Sequence, residues 1–270
     1  MPKDLSLLKL ADLARLLSKS EHELTKFIKI APKLYHKTSI PKKGGKLRKL
    51  EIPHKELKEI QANVLRGLLH KMPLHPVLYG GPGTSTLMAA RPHIRKSLLL
   101  TTDIKDFFPS VKAHQVRNMF LRHGASAELA YTLTRLVTHA NHLPQGAPTS
   151  PAIGRLVLQP FAGELESVLK NIPRAATSIY VDDVILSGPV GIKRFLPMIR
   201  KMLARHGLET NRKTKFMYRS QEQTCLNIRV NDGIAPPTSY LKHIDELALL
   251  LPQSDPRLKG KLAYVRSLKS

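Results

Sequence analysis

The sequence predicts an α+β fold. Short strands come in pairs closed by tight turns, and helical segments fall among them in mixed rather than strictly alternating order. The chain of 270 residues has no internal repeat and no low-complexity segment. Its length suits one large domain or two or three packed subdomains.

Residues 5–30 read as two short helices. Leu10, Leu13, Ala14 and Leu17 recur at helical spacing, and Ser20 with Glu23 forms a capping-box pattern ahead of Leu24, Phe27 and Ile28. A helix pair of this size can read DNA, but no groove-reading signature accompanies it, so a packing role is expected. Strands Tyr35–Ile40 and Leu47–Ile52 follow, joined by Pro41–Lys46, where Gly44 and Gly45 supply the backbone freedom of a tight turn. Pro53 ends the second strand. A helix then carries Leu57, Ile60, Val64 and Leu68 on one face, and Gly80–Gly83 is a loop.

Leu98–Ile104 reads as a buried strand that delivers Asp103 at its end. Helices are expected over 112–123, 126–139, 152–170 and 191–206, with a proline-rich loop over 141–151. Strands Ser178–Val181 and Val184–Ser187 are separated only by Asp182-Asp183. A short strand near 214–218 and a hairpin through 225–235, turning at Asn231-Asp232-Gly233, come next. The last 35 residues look helical, with a proline-containing break near 252–256.

Charge narrows the function. Lys and Arg number 44 against 20 Asp and Glu, a net +24. Such self-repulsion is costly unless a polyanion is normally at hand. The cations recur along the whole chain, in Lys42-Lys43, Arg48-Lys49, Arg95-Lys96, Arg212-Lys213 and Lys259–Lys261. That spread describes a folded domain with basic grooves rather than a basic tail. A single cysteine, Cys225, excludes an internal disulfide and a cysteine-based zinc site, and a reducing cytosol is the simplest home. No apolar run is long enough to span a bilayer and no secretory signal is visible.

Charge alone leaves a basic nucleic-acid binder and an enzyme about equally supported; the acids separate them. Asp182 and Asp183 stand where a two-residue turn belongs, yet Asp-Asp is not the favoured turn pair. Two adjacent like charges cost energy unless a cation neutralises them, and magnesium takes oxygen ligands while keeping waters for phosphates. Asp103 adds a third carboxylate at the tip of a buried strand, a costly place for an idle charge. Three carboxylates from two neighbouring strands can hold two metal ions about 3.5–4 Å apart, the arrangement for in-line nucleotidyl transfer. Asp106 is expected to be structural or a helix-cap acid. His36, His54, His75 and His142 show no ligand spacing.

At this point the residues resemble a family. Tyr180-Val-Asp-Asp183 is similar to the Tyr-x-Asp-Asp motif of reverse transcriptases, with Asp103 at the place of their first palm aspartate. Leu143-Pro-Gln-Gly-Ala-Pro-Thr-Ser-Pro151 resembles the family's Pro-Gln-Gly loop. Residues 35–61 resemble the fingers of bacterial retron-type enzymes, Ala90-Arg-Pro-His93 a motif that these usually write Asn-Ala-x-x-His, and Gly207–Lys213 their lysine-bearing segment. Thr224–Asn231 and Gly260–Tyr264 resemble later motifs, the second in the thumb. Ala89 and Cys225-Leu226 depart from the retron pattern.

The resemblance implies a right-hand polymerase: a helical segment over 1–30, fingers over 31–100, a palm of antiparallel sheet backed by helices over 101–222 with fingers helices inserted, and a palm-end hairpin and short helical thumb over 223–270. It implies RNA-directed DNA polymerisation of a structured noncoding RNA, in antiphage defence in the bacterial cytoplasm. Asp103, Asp182 and Asp183, with the Ile104 carbonyl, would hold two magnesium ions, manganese being able to replace them. Lys42 or Lys43 and Arg48 would hold the triphosphate, Gln145 would position the nucleotide, and Phe108 would exclude a 2′-hydroxyl, leaving Phe107 to the core. Lys213 would protonate the pyrophosphate, with Lys215 as the alternative. Arg91 and His93 would contact RNA, His93 alternatively capping a structural network.

The expected partners are the noncoding RNA, its RNA–DNA product, deoxynucleoside triphosphates and a separately encoded effector protein, with no membrane. Beyond the thumb no room is expected for a ribonuclease H, endonuclease or maturase domain. The competing readings are a non-retron defence enzyme, a group II intron-like enzyme, and a catalytically silent RNA binder. The last conflicts with three intact acids that are costly to hold together without metal.

Overall fold

The computed structural model describes residues 4–41, 45, 47–211 and 213–268. After a 3₁₀ turn at Leu5–Leu7, the elements in chain order are α1 (Leu10–Leu16), α2 (Glu21–Ile30), β1 (Tyr35–Pro41), β2 (Leu47–Pro53), α3 (Lys55–Gly67), β3 (Leu78–Tyr79), α4 (Thr86–Ala90), β4 (Leu98–Asp103), α5 (Phe107–Ser110), α6 (Ala113–Arg122), α7 (Ala127–Val137) and α8 (Ser150–Leu169). They continue with β5 (Ala176–Tyr180), β6 (Asp183–Gly188), α9 (Leu196–Arg205), β7 (Lys215–Tyr218), β8 (Thr224–Cys225), β9 (Ile228–Arg229), α10 (Thr238–Leu250) and α11 (Pro256–Ser267). Among the described residues no helix is long and apolar enough to cross a membrane.

The chain forms two compact units. One comprises residues 1–75, 105–161 and 205–208; the other comprises 76–104, 162–204 and 209–270. In the first, helices pack beside a two-stranded ribbon. Ser20 caps α2: its hydroxyl accepts from the Glu23 amide at 3.2 Å, and the Glu23 carboxylate accepts from the Ser20 amide at 2.7 Å. That reciprocal pair satisfies two amides that a helix start leaves open. Leu13, Ala14, Leu17, Leu24, Phe27 and Ile28 are buried, and α1 and α2 pack on α3 and α7. These two helices are a packing element, their apolar faces spent on the core.

Strands β1 and β2 pair antiparallel from Tyr35↔Pro53 to Pro41↔Leu47. The ribbon is mostly exposed and is tied down at its base, where Gln61 Nε2 donates to the Tyr35 hydroxyl at 2.7 Å and to the Leu136 carbonyl at 2.8 Å. Phe107 is buried as expected for a core ring, while Phe108 is half-buried with its centroid 5.4 Å away. Gly154 makes room for Phe107: a Cβ there would lie 2.8 Å from the ring.

The second unit is built on a five-stranded sheet in the order β3-β5-β6-β4-β7. Only β3 and β5 run parallel; the other neighbours are antiparallel. The sheet takes in β3 and β4, and the unit holding the aspartates begins at Pro76. Leu98, Leu99 and Leu100 are all fully buried. The unbroken apolar run follows from a strand covered on both faces. Leu99 and Ile185 pack with Ala90, Cys225, Ile228, Val230 and Leu268 on one of them.

One turn was not expected. The β8–β9 hairpin turns at Leu226-Asn227, both left-handed with φ 51° and 64°. That is the double positive φ of a type I′ turn, the twist-matched closure of a two-residue hairpin. Asn231-Asp232-Gly233 form the expected turn, closed by an antiparallel bridge between Arg229 and Ala235.

Replacing Phe107 by Ala should cost about 3–5 kcal/mol in denaturant unfolding, the range for a buried ring. The half-buried Phe108, treated the same way, should cost clearly less.

Candidate active site

Asp103 and Asp183 share one face at the end of the sheet, with Asp182 in the adjoining turn. In the β4–β6 ladder Asp103 lies directly opposite Asp183, and in the β5–β6 ladder Asp183 lies opposite Tyr180. Side chains directly opposite in antiparallel strands project to the same face. The hairpin turn therefore consists of Val181-Asp182, one residue earlier than the Asp182-Asp183 expected. A one-residue slip exchanges the faces of a strand, so this register is what puts Asp183 beside Asp103. It also leaves Val181 left-handed at φ 58°, a strained conformation for a β-branched residue that persists only where the surroundings enforce it.

Backbone bonds lock the edge. The Ile104 amide donates to the Asp182 carbonyl at 2.9 Å, and the Asn211 amide donates to the Asp103 carbonyl at 2.7 Å. Asn211 also donates from Nδ2 to Asp103 Oδ2 at 3.0 Å. Asn211 thus orients the Asp103 carboxylate, a role that no local pattern could disclose because 108 residues separate the two. Ile104 is buried and bridges to Thr210.

Electrostatics mark the site. Burial, then the charges of Asp182 and Asp103, push the Asp183 carboxyl up to about 6, and Lys215 opposes the rise. Lys215 pairs with Thr101, two places along β4 from Asp103, so pleating puts it on the carboxylate face. Lys213 is exposed on the segment ahead of β7.

As the side chains lie, no three His, Cys, Asp or Glu groups among the described residues are gathered closely enough to hold a metal ion. The donor chemistry fits one all the same. Three carboxylates share a sheet end, and their mutual repulsion is visible in the raised Asp183. A hard divalent cation with oxygen ligands relieves that excess charge.

In the first unit, Arg48 and Gln145 border one cavity of about 620 Å³, together with Lys37, Lys49, Glu51, Asp106 and His142. That volume lies in the range of small-molecule sites. Alternation puts Arg48 on the opposite face of β2 from Lys49 and Glu51. Asp106 stands at the start of α5 with φ 43° and makes no side-chain cap bond, so its placement is that of a cap without the bond. Lys42 and Lys43 lie outside the described residues.

The two expected RNA contacts fare differently. Arg91 is exposed at the 3₁₀ turn Arg91–His93. His93 is fully buried, with Nδ1 2.7 Å from Ser187 Oγ and Nε2 3.0 Å from Ser178 Oγ. Ser178 Oγ donates its hydrogen bond to the Ala89 carbonyl, so Nε2 must be the donor to it, leaving Nδ1 to accept from Ser187. Burial pushes this imidazole down to about 3, which keeps it neutral. The expected RNA contact is corrected: His93 offers nucleic acid no face and belongs to the network under the sheet.

A model of the reverse transcriptase (RNA-dependent DNA polymerase) family matches residues 40–241. Retron Mx65 reverse transcriptase of Myxococcus xanthus is 30% identical over 258 residues, spanning 85% of this chain and 60% of that protein. Retron Ec86 reverse transcriptase of Escherichia coli is 33% identical over 156 residues, spanning 57% of this chain and 48% of that one. The chain thus covers about half to three-fifths of the length of these relatives. Among solved structures, telomerase from Candida albicans aligns with a TM-score of 0.55 at 11% identity, covering 79% of this chain and 50% of the other, a likeness of fold alone.

Crowding of the carboxylates has a measurable sign. A carboxyl raised in the folded state contributes stability below its unfolded value near 3.8 that is lost as pH rises through about 6. Without divalent metal, Asp183→Asn should therefore raise the melting temperature at pH 7.5, and the gain should fade as pH falls from about 6 toward 3.8. Thermal melts in chelator across that range check it; a gain independent of pH would remove the crowding.

Proposed function

This chain belongs to the reverse transcriptase (RNA-dependent DNA polymerase) family and has its right-hand α+β fold, and from that premise we propose that it copies a structured noncoding RNA into DNA as a retron reverse transcriptase. The observation that carries the reading is the register that sets Asp103 against Asp183 with Asp182 at the adjoining turn. Retron reverse transcriptases among the relatives support the choice of class.

In this reading, Asp103, Asp182 and Asp183 with the Ile104 carbonyl hold two divalent cations, magnesium or manganese, whose charge would assist ionisation of the primer hydroxyl and stabilise the departing pyrophosphate. Asn211 holds one oxygen of Asp103 and so limits which lone pairs face the ions. Arg48, with Lys42 or Lys43, neutralises the triphosphate; Gln145 orients the nucleotide; Phe108 stands under the sugar against a 2′-hydroxyl. Lys213 delivers a proton from Nζ to the pyrophosphate, with Lys215 as the alternative because its charge already reaches Asp183. Arg91 contributes to RNA binding. We assign the palm to the unit with the five-stranded sheet, the fingers to the ribbon and its helices, and the short thumb to α10 and α11. The partners are the noncoding RNA, its RNA–DNA product, deoxynucleoside triphosphates and a separately encoded effector, in the bacterial cytoplasm during antiphage defence.

Asp182→Asn should abolish extension of a primed RNA template while leaving RNA affinity unchanged. Continued extension would place the active site elsewhere. Sequencing of nucleic acid that co-purifies from the native host tests the class. A single structured RNA joined to complementary DNA is expected; RNA without DNA, or DNA copied from many templates, would move the protein out of the retron class. A wild-type chain that extends no primer with magnesium would leave an RNA binder.

A further inference from the structure

Glu51 sits on β2 at the edge of the cavity that Arg48 and Gln145 also border. Two bonds and one close approach join it to the loop carrying Gln145. Its amide donates to the Gln145 carbonyl at 2.8 Å. Its own carbonyl lies so close to Gly146, which has φ 131°, that a Cβ there would come within 3.1 Å of it. Its carboxylate takes His142 Nε2 at 2.8 Å, with His139 Nε2 at 3.6 Å from the other oxygen.

The histidines are themselves anchored. His139 and His142 exchange backbone bonds of 2.9 Å in both directions around Ala140-Asn141. Those two residues have φ 44° and 64°, the double left-handed geometry of a type I′ turn. Asn accepts that conformation readily; Ala does not, and strain at a non-glycine residue persists where other bonds over-determine it. Here they do. His139 Nδ1 lies 2.8 Å from the Pro32 carbonyl and His142 Nδ1 lies 3.0 Å from the Ala140 carbonyl, and the His139 ring stacks at 4.6 Å on Tyr35 at the base of the ribbon. All three side chains of the cluster are about 85% buried.

We propose that Glu51, clasped by His142 and His139, is a positioning residue that fixes the Gln145 loop against β2 and so holds the two walls of the nucleotide cavity at a set spacing. The backbone ties alone would let the loop slide or swing along the strand; the side-chain clasp stops it. The inference rests on the polymerase reading for its substrate, a deoxynucleoside triphosphate, but not for its geometry.

The test uses the full chain with Glu51→Ala, Glu51→Gln, His142→Ala and the Glu51→Ala/His142→Ala pair. Gln keeps an acceptor for His142 and should behave within about twofold of wild type. Loss of the clasp in either Ala variant should raise KM for the triphosphate about tenfold, the size of one hydrogen bond to a charged group, with kcat nearly unchanged. The double variant should be no worse than either single, since both remove the same bond. Amide exchange over residues 139–147, read without substrate, should quicken in Glu51→Ala and not in Glu51→Gln. Unaltered KM and exchange in Glu51→Ala would overturn the proposal, as would a Gln variant as impaired as the Ala one. A wild-type chain that extends no primer would defeat the polymerase reading instead, and the exchange comparison would still decide the clasp. Should Glu51→Ala not fold, His142→Ala against His142→Gln supplies the same contrast.

Discussion

Three carboxylates at one end of a buried sheet repel one another, and the packing beneath them is what holds them there. Leu98, Leu99 and Leu100 bring β4 through the core without a polar interruption, so Asp103 cannot retreat. The neighbouring strand matches it pair by pair as far as Asp183. Burial of this strand pair is worth several kcal/mol by the usual area rule, enough to sustain both the raised Asp183 and the left-handed Val181. Strain and charge crowding occur at the same few residues, the pattern expected where function competes with stability.

Below that edge the same face is closed by the apolar cluster around Leu99 and Ile185 and, beside it, by polar contacts. His93 spans Ser187 on β6 and Ser178 on β5 while remaining neutral, and the Ser178 hydroxyl donates a hydrogen bond to the Ala89 carbonyl of α4. A buried network of this kind is stable because each member has a partner. It ties the two strands of the aspartate hairpin to each other and to the helical turn ahead of β4. Asn211 completes the arrangement from the other edge by holding Asp103 through both its backbone and its side chain.

Much of this was legible in the sequence because it depends on residues near one another. The capping box at Ser20 and Glu23, the ribbon of β1 and β2, the apolar run ending in Asp103 and the hairpin carrying Asp182 and Asp183 are all written within windows of a few residues. Phe107 as core came with the family resemblance, and the N-terminal helices as packing with the lack of a groove-reading signature. Less legible were the turns. Propensity favours Asp in a turn, yet the β5–β6 turn takes Val181-Asp182 and the β8–β9 turn takes Leu226-Asn227. In each case pairing overrides the local preference.

By itself, then, the sequence determined the α+β class, and it marked out the three aspartates proposed as the chemical centre and the large excess of basic charge, since composition, period and motif spacing carry those. Tertiary structure decided that Asp183 faces Asp103, that Asn211 orients Asp103, that His93 is structural and that Glu51 meets His142. The last three pairings join residues 85–108 positions apart. Contacts of that kind are set by which faces can be buried together, a property of the packed chain that no single segment contains.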